Sequence, residues 1–269
     1  MGAGTLAGTS ALVTGASEGI GRALAIQLAA AGADLVLGAR NEERLQSIAE
    51  ECRRHGREVL ALPTDVSREQ DCKRLVDEGV ARFNGLDALY CNAGRTMWAR
   101  FDALENLQVF PQLLDVNLMG AVYCTHYALD ALRAKRGRIV AVASAAGLTG
   151  VPERTAYAAT KHALVGFMDS LRIELRDTGV SVTVAAPDFV LTETHRRALG
   201  ADGKALGNSP MQEGKLLTAE RCAQMVIEAA QRRQRLCLTS TRTRLGLLLK
   251  PFVPKLLDRI AADAIAKRR

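Results

Sequence analysis

Short apolar runs alternate along the chain with longer segments in which apolar residues recur every three or four positions. A short apolar run between turn residues is typical of a buried strand, and the longer periodic pattern indicates an amphipathic helix. The predicted strands are residues 10–14, 34–38, 58–62, 86–91, 138–143, 180–186 and 236–239. The predicted helices are residues 20–31, 41–55, 67–83, about 104–133 and a segment that begins near residue 153.

Strands that alternate with helices of this length favour one type of sheet. Consecutive strands joined by a helix pair in parallel through right-handed crossovers. We therefore predict an α/β fold, a doubly wound parallel sheet of about seven strands with helices on both faces. Asn41 and Ser67 are the expected N-caps of the second and third helices. Pro152 stands near the first turn of the helix after the fifth strand, where its missing N–H costs little.

The charge is unevenly distributed along the 269 residues. The net charge is +7, but residues 231–269 hold eleven Lys or Arg against two Asp, a local charge of +9. The preceding 230 residues therefore sum to −2, and nucleic-acid binding by the main fold is not indicated. We predict one catalytic domain over residues 1–241 and a basic amphipathic tail over residues 242–269.

Cysteine spacing and hydropathy indicate the cellular compartment in which the protein resides. The six cysteines are scattered with no Cys-x-x-Cys pair, which indicates reduced thiols and no metal site. No charged leader with a long apolar run begins the chain, and no stretch of about 18 apolar residues occurs, so neither a signal peptide nor a membrane span is expected. These features predict a cytoplasmic protein.

A glycine-rich turn joins the first strand to the first helix. Its sequence is Thr14-Gly-Ala-Ser-Glu-Gly-Ile-Gly21, with the spacing Gly-x-x-x-Gly-x-Gly. Glycines let the backbone approach a pyrophosphate, whose charge rests against a helix N-terminus. The alternative is a tight connection without a ligand. The parallel-sheet context favours a dinucleotide site.

The end of the second strand bears on which dinucleotide binds. A site for NAD carries an acidic residue there for the ribose hydroxyl, whereas this chain has Arg40 and no acid at the turn. A guanidinium pairs with a 2′-phosphate, so NADP(H) is the predicted cofactor. The alternative is a solvated arginine neutralised by Glu42 and Glu43.

Three residues around the fifth strand can serve proton transfer. Ser144 ends that strand, and Tyr157 and Lys161 are four residues apart on the following helix, hence on one face. An ammonium beside a phenol stabilises the phenolate. A serine hydroxyl added to this pair allows the set to hydrogen-bond a carbonyl oxygen and pass it a proton.

Together these motifs resemble the short-chain dehydrogenase/reductase family in its single-domain form. They follow the family order: Thr14-Gly15, Gly19-Ile20-Gly21, Asp65-Val66, Asn92-Ala93-Gly94, Asn117, Ser144, and Tyr157 with Lys161. The resemblance implies a Rossmann-type fold and a homodimer or homotetramer packed through long helices. It implies hydride transfer between nicotinamide and a carbonyl or secondary alcohol, with Tyr157 as proton donor.

The resemblance also assigns roles to individual residues. Asp65 and Val66 are expected at the adenine, and Asn92-Ala93-Gly94 beside the sheet. The predicted catalytic residues are Asn117, which helps to place Lys161 through a water, Ser144, Tyr157 and Lys161. The predicted cofactor-binding residues are Gly15, Ser17, Gly19, Ile20, Gly21, Arg40, Asn41, Asp65, Val66, Asn92, Ala93, Gly94, Tyr157, Lys161, Pro187, Val190 and Thr192.

One position departs from the family pattern. After the sixth strand the family usually has Pro-Gly, whereas this chain has Pro187-Asp188, which places a carboxylate near the expected nicotinamide and substrate. Pro187, Val190 and Thr192 still suit contacts to the carboxamide. The departure therefore bears on substrate fit and leaves cofactor binding in place.

The substrate is expected to be a bulky hydrophobic carbonyl or alcohol. Residues 189–216, which include Gly200, Gly203, Gly207 and Pro210, form a predicted lid. Four apolar side chains are candidates to line the cavity, with ordinary core packing as the alternative: Met97, Trp98, Phe189 and Met211. A catalytically modified member, either a non-catalytic binding protein or a nucleotide-sugar epimerase or dehydratase, is the alternative function.

The tail is predicted to form two short helices separated by Pro251 and Pro254. In the second, an apolar stripe lies beside basic residues. The stripe is Leu256, Leu257, Ile260, Ala261, Ala264 and Ile265. It suits either packing on the body or on a partner subunit, or peripheral contact with an anionic membrane.

Overall fold

The computed structural model describes residues 5–208 and 216–266, with side chains to residue 263. Within those ranges the central sheet contains seven parallel strands in the order β3-β2-β1-β4-β5-β6-β7. The strands are β1 (Ser10–Thr14), β2 (Asp34–Ala39), β3 (Val59–Pro63), β4 (Ala88–Cys91), β5 (Arg138–Val142), β6 (Ser181–Ala186) and β7 (Leu236–Leu238). The predicted doubly wound parallel sheet is confirmed.

Helices connect the strands and cover both faces of the sheet. They are α1 (Gly19–Ala30), α2 (Glu42–Arg53), α3 (Glu69–Phe83), α4 (Val109–Leu114), α5 (Gly120–Ala134), α6 (Thr155–Glu174), α7 (Ala219–Gln231), α8 (Thr241–Leu249) and α9 (Pro254–Ala266). Five residues in π-helical conformation, Asp115–Met119, join α4 to α5.

Alternating strand residues divide the core into two layers. Val13 and Leu37 belong to the cluster that includes buried residues of α1, α2 and α7. Leu12 and Val36, their neighbours in sequence, belong to the cluster that includes buried residues of α3, α5 and α6. Because successive strand residues point to opposite faces, apolar runs such as residues 10–14 are buried on both sides.

The strand order reverses next to β1, and this reversal places the functional site. β1 pairs with β2 on one side and with β4 on the other, so the connections from β1 and β4 diverge to opposite halves of the sheet. In open parallel sheets, ligands bind in the crevice at the carboxyl ends of the strands around such a reversal. The Gly-rich turn follows β1 at this position.

The long helix predicted over residues 104–133 is correct in its second half and wrong at its start. The helix begins at Val109, and Phe101–Ala103 forms a separate single turn. Pro111 explains the late start, because inside a longer helix its ring would clash with the carbonyl of Leu107. The Asn106 side chain accepts a hydrogen bond from the amide of Gln108 at 2.9 Å and stabilises the turn before the helix.

Two other predicted helix starts were also wrong. The N-cap of α3 is Arg68 rather than Ser67, whose hydroxyl instead donates to the Asp65 carboxylate at 2.7 Å. Helix α6 begins at Thr155, beyond Pro152, because Glu153 has a φ of 64°, which a right-handed helix cannot contain.

The predicted cap of α2 is confirmed. The Asn41 side chain accepts a hydrogen bond from the amide of Arg44 at 2.8 Å, which satisfies a donor of the first turn. All six cysteines are free and buried.

The C-terminal helices lie against the body through a few polar contacts. Ser240 caps α8 by accepting a hydrogen bond from the amide of Thr243, and Lys250 at its end donates to the carbonyl of Leu148 at 2.7 Å. Several apolar side chains of α8 and α9 remain exposed, among them Leu248 at 66% and Phe252 at 80%. Among the described helices, none is long and apolar enough to cross a membrane.

Candidate active site

The turn after β1 fits tightly against the end of β4. Gly15 has a φ of +66°, and a Cβ added there would lie 2.8 Å from the Cα of Ala93. A Cβ on Gly21 would lie 2.1 Å from the carbonyl oxygen of Gly15. The Asn92 side-chain amide donates to the carbonyls of Thr14 and Gly15 at 3.0 and 3.2 Å. The turn therefore requires glycine at these two positions for steric reasons.

The start of α1 fits an anionic ligand. Its N-cap, Glu18, makes no side-chain bond to the first-turn amides, which are therefore not capped by a side chain. Free amides at a helix N-terminus bind phosphate groups. The turn residues Gly15, Ser17, Gly19 and Ile20 line the adjacent cavity. The site therefore fits the pyrophosphate of a dinucleotide.

One cavity of about 570 Å³ joins most of the predicted site residues. It extends from the Gly-rich turn to Ser144, Tyr157 and Lys161. The predicted residues in its lining are Gly15, Ser17, Gly19, Ile20, Arg40, Asn41, Asp65, Val66, Asn92, Ala93, Gly94, Ser144, Tyr157, Lys161, Pro187, Val190 and Thr192. Gly21 and Asn117 are buried and do not belong to this lining.

Asn117 holds the backbone beside the cavity. It lies in the π-helical segment and is 1% exposed. Its side-chain amide donates to the carbonyl of Arg95 at 3.0 Å and to the hydroxyl of Thr160 at 2.9 Å, and its carbonyl oxygen accepts from the amide of Arg95 at 2.8 Å. Asn117 thus ties the segment after β4 to α6, the helix that carries Tyr157 and Lys161.

The three predicted proton-transfer residues lie at the end of β5 and the start of α6. Lys161 is 3% exposed, and its ammonium donates to the carbonyl of Val142 at 2.8 Å. The Lys161 nitrogen lies 5.9 Å from the centre of the Tyr157 ring. The Ser144 hydroxyl accepts from the amide of Ala146 at 3.1 Å, so its own proton is available to another acceptor.

Burial dominates the protonation of Lys161. It lowers the pKa of the ammonium from its ordinary value of 10.5 to about 8, because the charged form loses its hydration. A ligand that supplies hydroxyl acceptors would replace part of that hydration.

The predicted adenosine end carries two cations. Arg40 is exposed, and among the described residues it forms no ion pair with Glu42 or Glu43. Burial raises the pKa of Asp65, but hydrogen bonds from Ser67 and the charge of Arg40 outweigh it and leave that pKa below its usual value. Burial and then the charge of Arg40 lower the pKa of Arg95. Two guanidiniums therefore lie near one carboxylate at this end.

The carboxylate of Asp188 is directed toward the C-terminal helices rather than left uncompensated beside a substrate. Its oxygens accept from Arg242 at 2.9 and 2.8 Å and from the Ser240 hydroxyl at 3.1 Å. Its amide donates to the hydroxyl of Thr239 at 3.0 Å. The residue that departs from the family pattern thus binds the first turn of the predicted tail.

Met97 and Trp98 follow the packing alternative rather than the cavity-lining one. Met97 is fully buried in a cluster with residues of α4 and α6, and Trp98 packs on Ala198. Neither side chain lines the main cavity. Both lie in the loop after β4 and pack against residues of the segment after β6. Phe189 lines a second, smaller cavity beside Leu216. Met211 lies outside the described residues.

Part of the predicted lid is fixed by backbone pairing. Leu199 pairs with Met97, and Val190 pairs with Leu217. Arg197 donates to both carboxylate oxygens of Glu18 in the Gly-rich turn, so the segment spans the cavity. Residues 209–215 of the predicted lid, Pro210 included, lie outside the described ranges.

Sequence analysis missed three arginines in the cavity lining, Arg95, Arg154 and Arg197. Arg95 follows the Asn92-Ala93-Gly94 motif directly. Arg154 precedes Tyr157 by three residues, a helical spacing that was a usable signal. Their positions matter because each brings a positive charge to a cavity in which only Arg40 and Lys161 were expected.

Comparisons with known proteins agree with this architecture. A family model described as short chain dehydrogenase matches residues 9–201. The 11-beta-hydroxysteroid dehydrogenase 1A of Arabidopsis thaliana is 35% identical over 260 residues, covering 94% of this chain and 74% of the relative.

Two solved structures have the same fold. One is a short chain dehydrogenase/reductase from Burkholderia phymatum in complex with NAD, with a TM-score of 0.81 and 26% identity over 94% of this chain and 96% of that one. The other is an alcohol dehydrogenase from Thermococcus sibiricus complexed with 5-hydroxy-NADP, with a TM-score of 0.74 and 27% identity over 86% and 95% of the two chains.

Replacing Lys161 with Met tests the burial of the ammonium. Between about pH 8 and pH 10 an unfolded lysine keeps its proton, whereas native Lys161 has lost it. The unfolded state then binds more protons, so stability rises with pH. We expect the free energy of unfolding of the wild type, relative to Lys161→Met, to rise by about 1 kcal/mol per pH unit in this window and to be constant below it.

Urea unfolding of both proteins without cofactor, from about pH 7 to about pH 10, measures this difference. Parallel pH profiles for the two proteins would contradict a depressed pKa of Lys161.

Proposed function

The chain belongs to the short-chain dehydrogenase family, and from that premise we propose that it is an NADP(H)-dependent oxidoreductase acting on a bulky hydrophobic carbonyl or secondary alcohol. One observation carries the proposal. The Gly-rich turn and the set of Ser144, Tyr157 and Lys161 line a single cavity. A dinucleotide bound at the turn would extend toward those three side chains.

Each of the three side chains has a proposed role in the reaction. The nicotinamide, when bound, supplies or accepts the hydride. Tyr157 donates its hydroxyl proton to the carbonyl oxygen in reduction and removes that proton in oxidation. The Ser144 hydroxyl donates a hydrogen bond to the same oxygen and fixes its orientation.

Lys161 supports this proton transfer in two ways. Its positive charge stabilises the Tyr157 phenolate that forms when the proton leaves. One of its three N–H bonds is used by the carbonyl of Val142, which leaves two donors for the ribose hydroxyls. We propose that Asn117 acts indirectly, by fixing α6 against the backbone of Arg95.

The cations at the predicted adenosine end support a preference for NADP(H). A 2′-phosphate carries up to two negative charges and accepts paired hydrogen bonds from a guanidinium. Arg40 has no ion-pair partner among the described residues, and Arg95 lies close enough for their charges to interact. Asp65 lies beside them, with Val66, where we propose that the adenine binds.

The name of the Arabidopsis relative supports a large hydrophobic substrate. We further propose a homodimer or homotetramer in the cytoplasm. The six buried free thiols support a reducing compartment. Exposed apolar side chains on the long helices, such as Ile173 at 68%, support a subunit interface.

We also propose peripheral membrane contact through α8 and α9. The exposed apolar side chains of this segment include Leu245, Leu248, Phe252 and Leu256, and its cations include Lys255 and Arg259. An apolar surface beside cations suits an anionic bilayer and would bring the cavity close to a lipid-soluble substrate.

Replacing Tyr157 with Phe removes the proposed proton donor and keeps the ring. We expect turnover to fall by roughly a thousandfold or more while NADPH still binds. NADPH absorbance with a panel of ketosteroids, hydroxysteroids and smaller carbonyls measures turnover, and fluorescence titration measures binding. Tyr127→Phe is the matched control, because the Tyr127 hydroxyl bonds to Glu69 on the outer surface. Wild-type turnover in Tyr157→Phe would remove Tyr157 from the mechanism.

Replacing Arg40 with Asp tests the cofactor preference. We expect the ratio of kcat/KM for NADPH to that for NADH to fall by roughly tenfold or more, because the carboxylate repels the 2′-phosphate and accepts from a ribose hydroxyl. Arg54→Asp makes the same charge change at an exposed site outside the cavity. A wild type that uses NADH as well as NADPH would refute the assignment.

Replacing Leu248 and Phe252 with Glu tests the membrane contact. We expect the wild type to sediment with phosphatidylserine vesicles at low salt and less at high salt, and the double variant to stay in the supernatant. Leu107→Glu is the control, because it places a charge on a comparably exposed apolar side chain, at 62%, outside the C-terminal helices and the cavity lining. If no protein sediments and the double variant alone loses its oligomeric state, the surface is a subunit interface.

A further inference from the structure

A buried arginine lies at the substrate end of the cavity, and the proposed mechanism does not use it. Arg154 is 5% exposed and immediately precedes α6. Its guanidinium carbon lies 4.7 Å from the centre of the Trp98 ring and 5.1 Å from the centre of the Tyr157 ring. The guanidinium is therefore held between two aromatic rings, one of which carries the proposed proton donor.

The hydrogen-bond donors of this group are not satisfied by the protein. Arg154 Nε and Nη2 are buried without a partner, and so is Nε1 of the adjacent Trp98. Among the described residues, no acidic side chain forms an ion pair with Arg154. Buried polar groups are almost always hydrogen-bonded, and a buried charge normally has a counter-charge, so this exception requires an explanation.

The electrostatics around Arg154 favour an anion. Burial lowers the pKa of Arg154, but a guanidinium keeps its charge at neutral pH. Lys161 brings a second positive charge close to the same phenol. The carboxylate of Asp188, which lines the cavity, is already neutralised by Arg242. The reacting end of the cavity thus holds two buried cations and no uncompensated acid among these groups.

We propose that Arg154 is a specificity-determining residue that binds a carboxylate of the substrate. The inference rests on the proposed function and narrows its substrate to an oxo acid or hydroxy acid with an apolar body. A carboxylate accepts paired hydrogen bonds from the planar fork of a guanidinium, which matches the two unpartnered donors. Because Arg154 contacts the Tyr157 ring, the carboxylate lies close to the reacting carbon.

A different role for Arg154 would give a different kinetic result. If the guanidinium served only to stabilise the Tyr157 phenolate, its removal would lower kcat for every substrate to the same degree. If it binds a substrate carboxylate, its removal affects only substrates that carry one, and it acts mainly through KM. Matched acid and ester substrates separate the two roles.

The experiment compares straight-chain oxo acids of varied ketone-to-carboxylate separation with their methyl esters and with a neutral ketosteroid. We expect the wild type to prefer the best acid over its ester by roughly tenfold or more in kcat/KM. Arg154→Met should lose roughly 100-fold on that acid and change little on the ester and the ketosteroid. Arg154→Lys should have a kcat/KM on that acid between those of the wild type and Arg154→Met, because the point charge of lysine replaces the bidentate guanidinium. Arg100→Met, at an exposed site outside the cavity, is the matched control.

A binding measurement without turnover completes the test. Arg154→Met should have a Tm at or above that of the wild type, because an unpaired buried charge is removed. In the presence of NADP, at least one oxo acid of the series should raise the Tm of the wild type and leave that of Arg154→Met unchanged.

Either of two results would overturn the inference: no preference of the wild type for any acid over its ester, or an equal loss of kcat on acid, ester and ketosteroid in Arg154→Met. If no carbonyl compound is reduced at all, the proposed function fails. The Tm comparison still decides whether Arg154 binds carboxylates, and no acid-induced shift in the wild type would reject it.

Discussion

The junction between the ends of β1 and β4 is the constraint on which the rest of the site depends. The hydroxyl of Thr14 accepts from the amides of Asn92 and Ala93 at 3.0 and 3.1 Å, and the Asn92 side chain bonds back to the turn. These bonds hold two strands at the reversal of the sheet in one register. The crevice for a dinucleotide follows from that register, because the first turn and the end of β4 form adjoining walls.

A second set of contacts joins the part of the cavity that contains Tyr157 and Lys161 to the junction between β1 and β4. Asn117 binds the backbone of Arg95 and the hydroxyl of Thr160, and so connects α6 to the segment after β4. Gly94 lies between these groups: a Cβ there would make a tight contact of 3.3 Å with the Asn117 carbonyl oxygen and an ordinary contact of 3.6 Å with the Lys161 nitrogen. The π-helical segment places Asn117 against both neighbours, and such segments are frequent at functional sites.

Charge is distributed in the cavity by long-range pairing. Glu18 forms an ion pair with Arg197, and Asp188 forms one with Arg242. Two acids in the cavity lining are therefore neutralised by residues that are distant in sequence. The buried cations Lys161 and Arg154 have no comparable partner among the described residues. The cavity is therefore positive at both ends, which suits a phosphorylated dinucleotide at one end and an anionic group at the other.

The C-terminal segment is coupled to the site as well as exposed to solvent. Its first turn holds Asp188, and Lys250 reaches the carbonyl of Leu148 in the loop after Ser144. Helix α8 thus contacts two loops that border the substrate end. Any surface or partner that binds the apolar side of α8 and α9 would act next to the cavity.

The sequence by itself determined the parallel sheet, the Gly-rich turn, the cap at Asn41 and the grouping of Ser144, Tyr157 and Lys161, because each depends on neighbours within a few residues or on the strand order. Only the tertiary structure decided the partner of Asp188, which lies 54 residues away, and the partner of Glu18, which lies 179 residues away. It also decided that Met97 is core and that Arg154 is buried. Hydrophobic periodicity shows which side of a helix or strand is buried, but it does not show which distant residues pack there. The pairing of distant residues determines which charges at the site are neutralised.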